Sequence, residues 1–141
     1  MRIDDIDQED ADIDYFATDA AGHVLHVASG GGVLPESVAA SQEDLLLLHQ
    51  YFLTLPERGE AKAVEPGLQG NEPVRYARRG LFSFAKTRLH ERDDAQYYLV
   101  ARPTCPLTVA ELPPPLAELL LRTRLPSNVG SLAMLDITAI S

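Results

Sequence analysis

The sequence predicts an α+β fold, with a mainly antiparallel sheet of two hairpins packed against two helices. Three observations predict it. Strand-forming runs come in pairs joined by short polar segments, as antiparallel neighbours require. Two segments open on a capping residue or proline, close on proline, and carry leucines at helical spacing. The elements come in blocks rather than in strict β-α-β alternation, which argues against a wholly parallel sheet. With 141 residues, 45% hydrophobic and 23% charged, the chain has the composition of an ordinary globular domain. It is long enough to bury a core without disulfide or metal staples.

Residues 1–11 lack apolar periodicity. They are expected to be an acidic, flexible N-terminal segment, leaving 12–141 as a single α+β domain. The strand-like runs Ile13 to Thr18 and His23 to Ala28 bracket the turn-forming Asp19-Ala20-Ala21-Gly22, giving the first hairpin. Ser29-Gly30-Gly31-Gly32 breaks the second strand, and Pro35 suits the start of a short helical turn. Ser41 is a good N-cap, with Glu43 and Asp44 placed to favour the helix dipole. Leu45, Leu48, Phe52 and Leu55 then form an inward face, which Pro56 ends.

Residues 57–73 are rich in Gly, Pro and Glu and read as a long excursion with a short strand at Ala61 to Val64. Leu81 to Leu89 and Tyr97 to Arg102 flank the polar tip His90-Glu91-Arg92-Asp93-Asp94 and predict the second hairpin. Pro113-Pro114-Pro115 opens a second helix with Leu116, Leu119 and Leu120 inward, ended by Pro126. Leu132, Met134, Leu135, Ile137 and Ile140 predict a last strand or strap.

The formal net charge is −9, but it is unevenly placed. Residues 1–20 hold eight acids against Arg2, leaving the rest of the chain close to neutral. Residues 75–102 are locally basic, with Tyr76, Phe82, Phe84, Tyr97 and Tyr98 interleaved. Such a mixture is the raw material of a single-strand nucleic-acid platform, although the overall charge disfavours that partner. No apolar run is long enough to span a membrane, and the first residues lack a signal-peptide pattern. The lone Cys105 excludes an internal disulfide framework. These features predict a cytoplasmic protein with no membrane partner.

The motifs point away from catalysis. His23 and His26 are three apart on a strand, so they face opposite sides and cannot easily share an ion. All four histidines are expected at surface or hairpin positions. Asp10-x-Asp12-x-Asp14 opens like a calcium loop, but Tyr15 and Ala21 stand where Gly and Glu are needed. The Gly30 to Gly32 loop lacks the Gly-Lys-Ser/Thr of a phosphate cradle. Ser29, Ser37, Ser41 and Ser83 sit in no nucleophile elbow, and Cys105 is expected to be a small buried hydrophobe. Accordingly no catalytic residue, metal ligand or cofactor is predicted.

Several segments carry a resemblance. They are Asp14-Tyr15-Phe16-Ala17-Thr18-Asp19 with Gly22, Ala28 to Gly32, Leu34-Pro35-Glu36-Ser37-Val38, and Glu43-Asp44-Leu45. Tyr51-Phe52, Leu55-Pro56, Gly80-Leu81-Phe82, Tyr98 to Pro103, Pro106-Leu107 and Glu111-Leu112-Pro113 continue it. Over residues 12–126 the chain resembles a family of small bacterial proteins, some of which look like immunity proteins that neutralise a toxin. The resemblance implies a non-catalytic domain whose partner is another protein. The resemblance brings no site residues with it; the acidic charge and the glycine loop make Asp4, Asp5, Asp7, Asp10, Asp12, Gly30, Gly31 and Gly32 the candidate contacts. The alternative is a small-molecule-binding protein or enzyme using a cleft between the Gly30 to Gly32 loop and the 57–73 excursion. Single-stranded nucleic-acid binding is the third reading.

Overall fold

A computed structural model describes residue 3, residues 13–29, 34–63, 72–86 and 96–126, residue 128, and residues 134–136. Among these, the strands are β1 (Asp14–Thr18), β2 (Val24–Ala28), β3 (Ala61–Ala63), β4 (Phe82–Lys86), β5 (Gln96–Pro103) and β6 (Met134–Asp136). The helices are α1 (Glu36–Ala39), α2 (Gln42–Thr54), α3 (Glu72–Ala77) and α4 (Pro114–Leu120), with a 3-10 turn at Val109–Glu111.

The α+β class holds, but the sheet is mixed rather than simply antiparallel. Strand order is β1-β2-β4-β5-β3, with β6 also paired to β5. β1 pairs antiparallel with β2, and β4 with β5, whereas β2 and β4 run parallel, with His26 opposite Ser83. The reason is the crossover between them. α1, α2, β3 and α3 all intervene, and a connection of that length can return the chain to the same end of the sheet. Residues 87–95, the expected tip of the second hairpin, lie outside the described residues. On its free side β5 is shared by β3, along Ala101 to Pro103, and β6, along Gln96 to Tyr98.

Alternation along the strands sends side chains into two cores. Tyr15, Ala17, Leu25, Val27, Phe82, Phe84, Tyr97 and Leu99 belong to one cluster with Val38 and Leu125. Phe16 and Val24 face the other way, onto Leu48 and Phe52 of α2, Tyr76 of α3 and Leu120 of α4. A strand with both faces covered reads as a nearly continuous apolar run, which is how Val24 to Ala28 reads apart from His26. Burying each large apolar side chain contributes about 1.5–3 kcal/mol.

Local chemistry sets the element ends. In the β1–β2 turn, Asp19 Oδ1 accepts from the N–H groups of Ala21 (2.9 Å) and His23 (2.8 Å). Gly22 in that turn has φ +85°, which glycine adopts without steric cost. Ser41 caps α2, its Oγ accepting from Asp44 N–H at 3.2 Å. Leu48 and Phe52 are the buried residues of α2, while Leu45 and Leu55 are half-buried. α3 falls where the sequence reads as the end of a long excursion. Glu72-Pro73 suits a first helical turn, and burial of Tyr76 and Ala77 supplies what a six-residue helix lacks alone. Ile3 is buried in the first core, and its N–H donates to Ala39 O at 2.8 Å.

Candidate functional site

Two polar features stand out, one inside the sheet and one at the C-terminal end of α2. The first grows from strand alternation. His26 lies on the helix-facing side of β2, between Phe16 on β1 and Ser83 on β4 in register. Its ring is buried, 4% exposed. Nδ1 is 2.6 Å from Ser83 Oγ, and Nε2 is 2.9 Å from Asp14 Oδ1. An ionised carboxylate only accepts, so Nε2 carries a proton and donates to Asp14. The Ser83 hydroxyl shares a hydrogen bond with Nδ1, so the three side chains form one relay, Ser83–His26–Asp14.

Aromatic and cationic groups enclose this relay. Tyr76 of α3 stacks on the His26 ring, with centroids 3.9 Å apart and planes 16° apart. The Arg75 guanidinium lies 5.1 Å from the Tyr76 centroid. His49 of α2 places Nε2 3.9 Å from Asp14 Oδ2. Burial pushes the Asp14 carboxyl up. The His26 hydrogen bond and the charges of His26, His49 and Arg75 more than offset it and hold the group below its ordinary value.

Serine, histidine and aspartate are the residue types of a nucleophilic trio. Here the Ser83 residue is 0% exposed and sits in an interior strand, so its hydroxyl has no surface on which to meet a substrate. The relay instead ties β1, β2 and β4 across the sheet. The sequence expects His26 at a surface or hairpin position and finds no nucleophile elbow at Ser83; His26 does lie on the first hairpin but is buried rather than exposed, and Ser83 is its buried partner rather than a nucleophile. The signal was present as two polar interruptions, His26 within Val24 to Ala28 and Ser83 between Phe82 and Phe84. Seeing them as partners needs the parallel β2–β4 ladder, which spans 57 positions of sequence.

The second feature is a groove of about 320 Å³ at the C-terminal end of α2. Tyr51, Leu55, Pro56 and Leu107 make an apolar wall, and Arg58, Arg79 and Glu111 add charge. Arg79 is half-buried and anchored, its Nε donating to Leu55 O (2.8 Å) and Nη1 to Arg75 O (2.9 Å). Arg58 is ion-paired with Glu111 at 2.9 Å. Glu111 is held further by Thr108, whose N–H donates to Oε2 at 2.9 Å. That pairing raises the Arg58 guanidinium and lowers the Glu111 carboxyl from their ordinary values.

The predicted contacts Asp4, Asp5, Asp7, Asp10, Asp12, Gly30, Gly31 and Gly32 all lie outside the described residues, as do residues 64–71 of the 57–73 cleft partner. Two other acids of that N-terminal cluster are used internally: Asp14 in the relay, and Asp19 in the turn, where Oδ2 is 3.0 Å from His23 Nδ1. Cys105 is exposed, not the buried hydrophobe expected, because it sits in the loop that leaves β5. Tyr76, Phe82, Phe84 and Tyr97 are buried, so these rings are not available to stack on bases. Among the described residues, no three His, Cys, Asp or Glu side chains are grouped to hold a metal ion. Nor is any helix there long and apolar enough to cross a membrane. Compared with known proteins, the chain matches no family model, no curated protein and no solved structure.

Proposed function

We propose that the chain is a non-catalytic protein-binding domain that docks its partner on the outer side of α2 and the end of α4. One observation carries this reading. Leu46, Leu47 and Leu121 are 48%, 52% and 40% exposed, the large hydrophobics left in water among the described residues. Leu46 and Leu47 are consecutive on α2. Arg122, next to Leu121, is ion-paired at 3.0 Å with Asp44, on the first turn of α2. The exposed leucines therefore sit on elements that are held together. Scattered surface leucines are ordinary, whereas a neighbouring set is a typical contact surface.

In its most concrete form the partner is a bacterial toxin and the role is immunity-like, which rests on the sequence resemblance. The acids Asp4, Asp5, Asp7, Asp10 and Asp12 would then steer a basic partner toward the domain.

The test compares wild type with the double variant Leu46→Glu, Leu47→Glu. A partner captured from the native cell is identified, purified and titrated against both proteins. Wild type is expected to bind at least about tenfold more tightly, with circular dichroism of the two proteins alike. Equal affinity for both would remove α2 as the docking surface.

A further inference from the structure

The geometry points to a binding site, in the groove beside the C-terminal end of α2, for a small organic monocarboxylate with an apolar body. This goes beyond docking on α2 and does not depend on it. The argument starts from Arg79. The residue is half-buried, its guanidinium is held by two backbone carbonyls, and no carboxylate among the described residues is paired with it. A cation withdrawn from water without a counter-charge favours an anion. The remaining N–H groups of the guanidinium can receive a planar carboxylate as a fork.

The neighbours decide which anion. Glu111 cannot serve Arg79 as its counter-ion, because it is already engaged by Arg58 and by Thr108. Its negative charge on the same groove repels a second charge on the ligand, so a phosphate dianion or dicarboxylate fits less well than a monocarboxylate. Tyr51, Leu55, Pro56 and Leu107 offer the ligand's body an apolar wall. The volume of about 320 Å³ is at the small end of ligand sites and equals about ten waters. Gly80 holds the far wall in place. Its carbonyl accepts from Leu107 N–H at 2.8 Å, and a Cβ there would lie 2.7 Å from Leu107 N.

The experiment titrates the full 15N-labelled chain with phenylacetate and, separately, with phenylacetamide, following backbone amide shifts. Phenylacetate is expected to move the amides of Leu55, Arg79 and Leu107, and to bind at least about tenfold more tightly than the amide. Arg79→Gln should remove that preference. Glu111→Gln, which releases Arg58, should tighten phenylacetate severalfold. Because Arg79 also braces two carbonyls, Arg79→Gln counts only with the spectrum of a folded chain; otherwise the acid–amide pair and Glu111→Gln decide alone. Equal binding of acid and amide, shifts confined to other parts of the chain, or no shifts at millimolar phenylacetate would each overturn the proposal.

Discussion

Asp14 is pulled in two directions, and the outcome has a pH signature. Burial opposes its charge, while His26, His49 and Arg75 favour it and win, so the folded-state pKa lies below the ordinary 3.8. A carboxylate lowered in this way stabilises the fold above its unfolded pKa, and that contribution is lost as pH falls through the folded pKa. Asp14→Asn should therefore cost about 1–2 kcal/mol near neutral pH, allowing for partial solvent screening. The gap to wild type, measured by urea denaturation, should shrink below about pH 4. A gap that stays constant into acid would mean that Asp14 acts by shape alone. Tyr15 is the converse case. Its hydroxyl is buried with no hydrogen-bond partner among the described residues, and burial followed by Tyr97 raises its pKa well above the ordinary value. Tyr15→Phe removes that hydroxyl at little cost in volume, so thermal unfolding should show a variant as stable as wild type or up to about 1 kcal/mol more stable. A loss above that size would reveal a partner for the hydroxyl. Neither environment was legible in the sequence. A polar residue within an apolar strand shows that something must satisfy it, but not which residue does.

The elements were read more easily where their signals are local. Ser41 before Glu43 and Asp44 marked the start of α2, and Pro56 its end. Asp19 and Gly22 marked the first turn, and Pro114 the start of α4. α3 escaped because six residues carry too little periodicity, and its stability comes from the burial of Tyr76. The connection from α3 into β4 also depends on a single residue. Gly80 has φ +101°, and a Cβ there would lie 2.8 Å from Leu107 Cβ as well as against Leu107 N. Gly80→Ala should lower stability by about 1–3 kcal/mol, measured by thermal or urea unfolding. A neutral substitution would show that this approach relaxes freely.

At the scale of the molecule, the acidic charge and the proposed contact surfaces fall on different segments of the chain. Most of the net −9 belongs to the first twenty residues, while the exposed leucines and the Arg79 groove lie on and beside α2. Docking through Leu46 and Leu47 should therefore survive a rise in salt, whereas any steering by the N-terminal acids should weaken. Association rates across a salt series would separate the two, and a rate that never responds to salt would remove the steering. By itself the sequence determined the α+β class, the first strand pair's turn, α2 and α4, and the placement of charge, because caps, prolines and side-chain periodicity act within a few residues. Only the tertiary structure decided the parallel β2–β4 ladder, the Asp14–His26–Ser83 relay, and the groove where α2, Arg79 and Leu107 meet. Each of these joins positions far apart in the chain. Their adjacency follows from how the apolar faces pack against one another, and no local pattern of residues encodes it.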